Sequence, residues 1–165
     1  MYRAILLGFL ISLVLLAACS DPQKAQDEKN MQLVRHVHEE VAKGNLDVFD
    51  EALNDNYVRH CQAMPAEFQE IHGTAPFKAF VKDFVASVSD YTESIDLMFA
   101  KDNYVAYVTT MHCTQTGPMG PFPATNKPFS LVNIIIHRFE NGKISETWIS
   151  WDNMAMLQQL GLLDS

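Results

Sequence analysis

The sequence predicts an α+β domain, with helices in its first half laid against one side of an antiparallel or mixed sheet built from its second half. Three observations predict it. Apolar residues recur at spacings of three and four from Met31 to Val88, the period of amphipathic helices. From Tyr91 onward the pattern changes to alternation, the period of strands with one buried face. Asn141-Gly142 stands between two β-rich runs, and such a pair makes a tight hairpin because both residues tolerate positive φ. Helices segregated to one side of a sheet define the class.

The elements follow in order. Met31, Leu33, Val34, Val37, Val41 and Ala42 make one stripe of a helix over residues 27–43, ended by Gly44. Asn45 is placed to cap a shorter helix through Leu53, with Val48, Phe49 and Leu53 on one face. Asn54-Asp55-Asn56 marks a turn, and Tyr57 to His60 a short extended piece leading into a loop around Pro65. Gly73-Thr74 introduces a third helix with a wide stripe of Phe77, Phe80, Val81, Phe84, Val85 and Val88. Residues 91–100 and 104–116 read as strands joined at Lys101-Asp102-Asn103, and residues 117–128 as a proline- and glycine-rich loop. The hairpin strands cover 129–140 and 143–151. A last helix runs from about Asn153 to Leu160, stopped by Gly161.

Residues 1–18 have the layout of a secretory signal. Arg3 supplies the positive end, and Ala4 to Leu16 form an apolar run too short to span a bilayer. Leu16-Ala17-Ala18-Cys19 resembles a bacterial lipoprotein box, which implies acylation of Cys19; Ser20 after it implies sorting to the outer membrane, facing the periplasm. Two or more acyl chains anchor a protein stably without a spanning helix. Residues 19–30 then read as the lipidated cysteine and a polar tether, and 31–165 as one domain with a single core. With 20 acidic against 12 basic residues and a net charge of −8, the surface argues against nucleic acid as a partner, which needs clustered Lys and Arg. Cys61 and Cys113 are the cysteines left beside Cys19. In an oxidising envelope they form a disulfide or remain two buried thiols.

Four features together resemble the SnoaL-like polyketide cyclase (ester cyclase) group of the nuclear transport factor 2-like superfamily. They are Tyr57-Val58-Arg59-His60, Gly73-Thr74 with the phenylalanine-rich helix, Pro123-Ala124-Thr125-Asn126-Lys127-Pro128, and the closing Asn141-Gly142-Lys143-Ile144-Ser145-Glu146-Thr147-Trp148 with Asp152 and Gln158-Gln159-Leu160-Gly161. The resemblance implies a cone-shaped curved sheet wrapped around the N-terminal helices and enclosing an apolar cavity. It also implies that Asp152 is a general acid/base for a ring closure of aldol type, without metal or cofactor. The group often carries a histidine where this chain has Gln115, with His112 the nearest histidine. Its members commonly pair through the outer face of the sheet, so a homodimer is expected, with Val105-Tyr107-Thr109-Met111 or Val132-Ile134-Ile136 as the apolar face unless these form the core side.

Strand parity puts Ile144, Glu146, Trp148, Ser150 and Asp152 on one face of the last strand, and Ser145, Thr147, Ile149 and Trp151 on the other. Asp152 and Trp148, four residues apart on one face, are therefore expected to line one cavity. The plain alternatives are an N-cap for Asp152 and ordinary core for Trp148. His60 joins Asp152 as the catalytic candidate, and Trp148, Gln115, Tyr107, His112 and Phe84 are the expected ligand-pocket residues. His137 is a weaker candidate, and His36 and His38 are expected in solvent. Six histidines without a repeated spacing do not make a metal site. Two functions stay open. One is cofactor-free acid/base chemistry on a small apolar carbonyl compound, in which a desolvated carboxylate has its pKa raised toward neutrality. The other is a lipid-anchored module that binds an apolar ligand or a protein partner without catalysis.

Overall fold

The computed structural model describes residues 21–163. The expected signal segment and Cys19 lie outside them. Helix α1 runs Pro22–Ala42, earlier than its apolar stripe suggests, so most of the expected tether is helical. The cause is local: Asp21 accepts a hydrogen bond from Gln23 N, Pro22 occupies the first helical position, and the Gln23 amide donates to Asp102 O at 2.7 Å. Asn30, within that stretch, is buried. Then come α2 (Val48–Ala52), β1 (Leu53–His60), a 3₁₀ turn (Ala66–Phe68), β2 (Glu70–His72), α3 (Thr74–Ser87), β3 (Val88–Lys101), β4 (Tyr104–Gln115), β5 (Pro128–Glu140), β6 (Lys143–Ser150) and α4 (Asn153–Leu160).

The α+β expectation holds. The six strands form one curved mixed sheet in the order β2-β1-β6-β5-β4-β3. β1 lies parallel to β6 and every other neighbour is antiparallel. The hairpin turn adopts the geometry its residues favour, with Asn141 at φ 54° and Gly142 at φ 78°. Further details differ from the sequence reading: Leu53 opens β1 and does not end α2, and Val88 opens β3 and does not belong to α3. Asn54-Asp55-Asn56 is not a turn but the part of β1 where the register slips between Leu53 and Val58, and short β2 has too few residues to show a period.

One face of the sheet is covered and the other is open. The covered face carries Val105, Tyr107, Thr109, Met111, Cys113 and Gln115 from β4 and Phe129, Leu131, Asn133 and Ile135 from β5, all buried. Helices α1–α3 pack on it with Val34, Val48, Phe49 and Phe77, and α4 closes its far end with Leu160. The open face carries Leu97, Phe99, Val132, Ile134, Ile136 and Trp148, all more than a third exposed. The two runs expected as alternative apolar faces thus fall on opposite sides: Val105 to Met111 are core, and Val132 to Ile136 face outward.

Cys61 and Cys113 are free and buried, which corrects the disulfide expectation. β6 and β5 separate their strands, about 14 Å at the usual strand spacing, and a disulfide needs Cα atoms within about 7 Å. Burial pushes the Cys113 thiol up to about 11, so it behaves as a small apolar side chain at neutral pH.

Candidate functional site

From Ser145 onward β6 keeps the alternation read from the sequence but turns the opposite side inward, and Ile144, expected on the face of Glu146 and Trp148, is buried. Thr147 and Ile149 point into the core, and Glu146 and Trp148 point out. The reason lies at the start of the strand, where Ile144 and Ser145 are both buried and the pairing with β5 slips beside Phe139. Such an irregularity moves every later side chain to the opposite face.

This corrects the expected constellation around Asp152. Asp152 is exposed, and its carboxylate accepts a hydrogen bond from Ala155 N at 2.9 Å, the geometry of an N-cap. Trp148 stacks on His60 on the open face, with ring centroids 5.4 Å apart and planes within 15°. His60 is further held there by Glu146 at 2.8 Å and Glu70 at 3.2 Å. His112 is also exposed on the open face. Gln115 is fully buried, but its amide ties down the proline loop: it donates to Pro123 O at 3.1 Å and Gly117 O at 3.3 Å and accepts from Thr125 Oγ1 at 2.7 Å. Phe84 packs against Tyr91 within the second core cluster. Of the expected pocket residues, Tyr107 joins a polar network on the covered face that reaches a cleft.

That network is the candidate site. The Tyr107 hydroxyl meets His137 Nε2 at 2.7 Å and His38 Nε2 at 3.2 Å. His38 Nδ1 meets Glu93 Oε2 at 2.8 Å, and Tyr91 donates to the same oxygen at 2.9 Å. On the other side His137 Nδ1 meets Thr147 Oγ1 at 2.8 Å. The chain Tyr91–Glu93–His38–Tyr107–His137–Thr147 thus joins α1 to β3, β4, β5 and β6. Its outer end opens into a cleft of about 290 Å³ between α1 and β3, lined by Arg35, His38, Glu39, Ala42, Tyr91, Glu93 and Ile95.

The electrostatics sort the roles. Burial raises the Glu93 pKa, but hydrogen bonds from His38, Thr109 and Tyr91 and the nearby His38 charge outweigh it, leaving the carboxyl below its usual range. Glu93 is an anion at neutral pH and orients His38. Burial and the neighbouring His38 hold His137 neutral, with its pKa down at about 3. Burial and the Glu93 charge push Tyr107 well above the ordinary phenol value, so it stays a neutral donor. With Glu93 fixing a proton on His38 Nδ1, the remaining hydrogen bonds are satisfied by two arrangements of opposite polarity. In one, cationic His38 donates to Tyr107, Tyr107 to His137, and His137 to Thr147. In the other, neutral His38 accepts from Tyr107 and every link reverses. The two arrangements differ in the direction of every hydrogen bond from His38 Nε2 to Thr147 Oγ1.

Nothing along the chain marks His38 and Glu93 as a pair. They lie 55 residues apart, and His38 sits beside polar residues on a helix whose default is solvent. Parity within β3, which puts Tyr91, Glu93 and Ile95 on one side, was the one available signal. Among the described residues no group of three or more His, Cys, Asp or Glu could hold a metal ion.

The fold has close relatives in shape. The chain resembles TsrD from Streptomyces laurentii at 23% identity, covering 82% of this chain and 97% of that one with a TM-score of 0.72. It resembles a candidate SnoaL-like polyketide cyclase from Jannaschia sp. CCS1 at 14% identity, covering 88% and 98% with a TM-score of 0.76. An M. tuberculosis epoxide hydrolase of the LEH-like type superposes with a TM-score of 0.65 at 14% identity, covering 82% and 91%. At these identities the likeness is one of fold. No curated protein matches the chain in sequence. The family model for SnoaL-like polyketide cyclase matches residues 32–160, from within α1 to the end of α4, and the chain belongs to that family.

Proposed function

We propose that this protein carries out cofactor-free acid/base chemistry of the cyclase or isomerase type on a small, largely apolar carbonyl compound, with His38 as the proton-transfer group. The observation that carries the reading is the 2.8 Å contact of His38 with Glu93 at the mouth of a cleft, backed by a hydrogen-bonded path inward. A histidine oriented by a carboxylate takes a proton in the correct tautomer and holds the resulting charge; the nitrogen that does so here is Nε2, which the substrate reaches by displacing its long 3.2 Å contact with the Tyr107 hydroxyl. One such group contributes about 10²–10⁴-fold to a rate. Membership of a polyketide cyclase family supports carbonyl chemistry as the class. Asp152, spent on capping α4, is not needed for it.

The test is proton exchange at the carbon next to the carbonyl of small aryl ketones in D₂O, followed by NMR. The expected result is catalysed exchange that falls at least about a hundredfold in Glu93→Gln and His38→Gln and is unchanged in Asp152→Asn. Exchange that survives both network substitutions would sink the assignment. The second reading, a binding module without catalysis, draws on the exposure of Asp152 and predicts saturable ligand binding with no exchange at all.

The domain is further proposed to be carried on a bacterial envelope membrane by acyl chains on Cys19, on the strength of the Leu16-Ala17-Ala18-Cys19 run after an apolar segment. Incorporation of labelled palmitate into the full chain, and its loss in Cys19→Ala, is the expected outcome. A second copy of the chain is proposed as a partner through the open sheet face.

A further inference from the structure

Arg59 is 3% exposed, on the covered face of β1. Burying a guanidinium is costly unless a counter-charge and hydrogen bonds compensate it. Yet among the described residues no carboxylate lies close enough to act on it; the ionisable groups that do are Cys61 and Tyr57. Its hydrogen-bond partners are Phe68 O, reached from Nη1 at 3.5 Å, and the Cys61 side chain, a long contact and a weak sulfur acceptor for a group with five donors. Burial accordingly pulls its pKa down.

The groups around it are built to flank a planar ion. The guanidinium carbon lies 4.8 Å from the Phe80 ring centre and 6.0 Å from that of Trp151, within reach of cation–π attraction. Trp151 supplies a second, independent anomaly: its Nε1 is buried and has no hydrogen-bond acceptor. Buried indole N–H groups normally find one. A buried guanidinium without a carboxylate partner and an indole N–H without an acceptor therefore sit side by side between α3, β1 and the end of β6, under the Cys61–Gln69 segment.

We propose that Arg59 and the Trp151 indole N–H form a carboxylate-binding subsite, and that the ligand of this protein is a monocarboxylate with an apolar body. A carboxylate answers both anomalies. Its two oxygens match the guanidinium fork, and either can accept from the indole. A single buried cation balances a single negative charge, which disfavours a phosphate dianion. Phe68, Phe80 and Trp151 offer the apolar body its surroundings. The subsite is distinct from the His38–Glu93 dyad, although the register puts Arg59, Thr147 and His137 in one row across the covered face. It goes beyond the acid/base reading and does not rest on it, because binding is read here without turnover.

The experiment is chemical denaturation of the full chain at neutral pH in sodium formate, sodium phosphate or sodium chloride at matched ionic strength. Formate is the probe because it is the smallest carboxylate and needs no particular body. The expected result is that formate, relative to chloride, raises wild-type stability in a saturable way. Arg59→Met should lose that increment, and Trp151→Phe, which keeps the ring and removes the N–H, should need about tenfold more formate for the same increment. An equal formate response in wild type and Arg59→Met, or none in wild type, overturns the proposal. Phosphate stabilising more than formate overturns the carboxylate assignment. A thiolate absorbance near 240 nm at neutral pH that disappears in Arg59→Met makes Cys61 the counter-ion and overturns it as well.

Discussion

His137 shows how burial turns one side chain into a pH sensor for the fold. Its folded pKa of about 3 lies below the ordinary value of about 6.5, so the unfolded chain binds the extra proton between those limits. Stability is therefore full above about pH 6.5 and falls as pH drops toward 3. The loss from this residue is on the order of a few kcal/mol. Glu93, also lowered, adds a loss of the same sign below about pH 4.5. His137→Gln should flatten the stability profile between pH 6.5 and 4.5, measured by urea denaturation across that range; an unchanged slope would place the sensitivity elsewhere. Asp152 gives the contrasting case. Its capping bond predicts that Asp152→Ala lowers stability by about 1 kcal/mol and Asp152→Asn by much less, since Asn also caps well.

At the scale of elements, the proline loop between β4 and β5 hangs on one amide. Gln115 holds Gly117, Pro123 and Thr125 at once, and its backbone pairs with Asn126 and Lys127. Gly117 is packed so closely that a Cβ there would meet Ser87 Cα at 3.0 Å. Gln115→Ala strands buried polar groups, so a loss of about 1–3 kcal/mol is expected, together with faster amide exchange over residues 117–127. A loop as protected as in wild type would show that the backbone pairs suffice. The sequence made the loop legible from its Pro and Gly residues, but not what fastens it, because Gln115 meets its partners only after the loop has turned back. The strand parity of β6 was legible too, from Ser145 onward. Which parity faced inward was not, because the slip beside Phe139 depends on the pairing with β5.

Over the whole molecule, one sheet face is sealed by four helices and the other presents Leu97, Phe99, Val132, Ile134 and Ile136 to solvent. Contiguous apolar patches of this kind mark interaction surfaces. Pairing of two copies through this face predicts a dimer in sedimentation at micromolar concentration, with Ile134→Glu shifting it to monomer without loss of fold. A wild-type monomer would remove the second copy from the partners.

By itself, the sequence determined what depends on neighbours along the chain. The period of three to four through α1 and α3, the alternation from β3 to β6, the Asn141-Gly142 turn and the caps of α4 are local preferences, and the tertiary structure left them in place. It was also enough to carry the family likeness, since that rests on short runs at fixed positions. The tertiary structure alone decided what depends on residues far apart: that β1 lies parallel to β6, that Cys61 and Cys113 stay apart, and that His38 meets Glu93. It also decided that Arg59 is buried without a carboxylate, because whether a charge has a partner is a property of the packed interior and leaves no period in the chain.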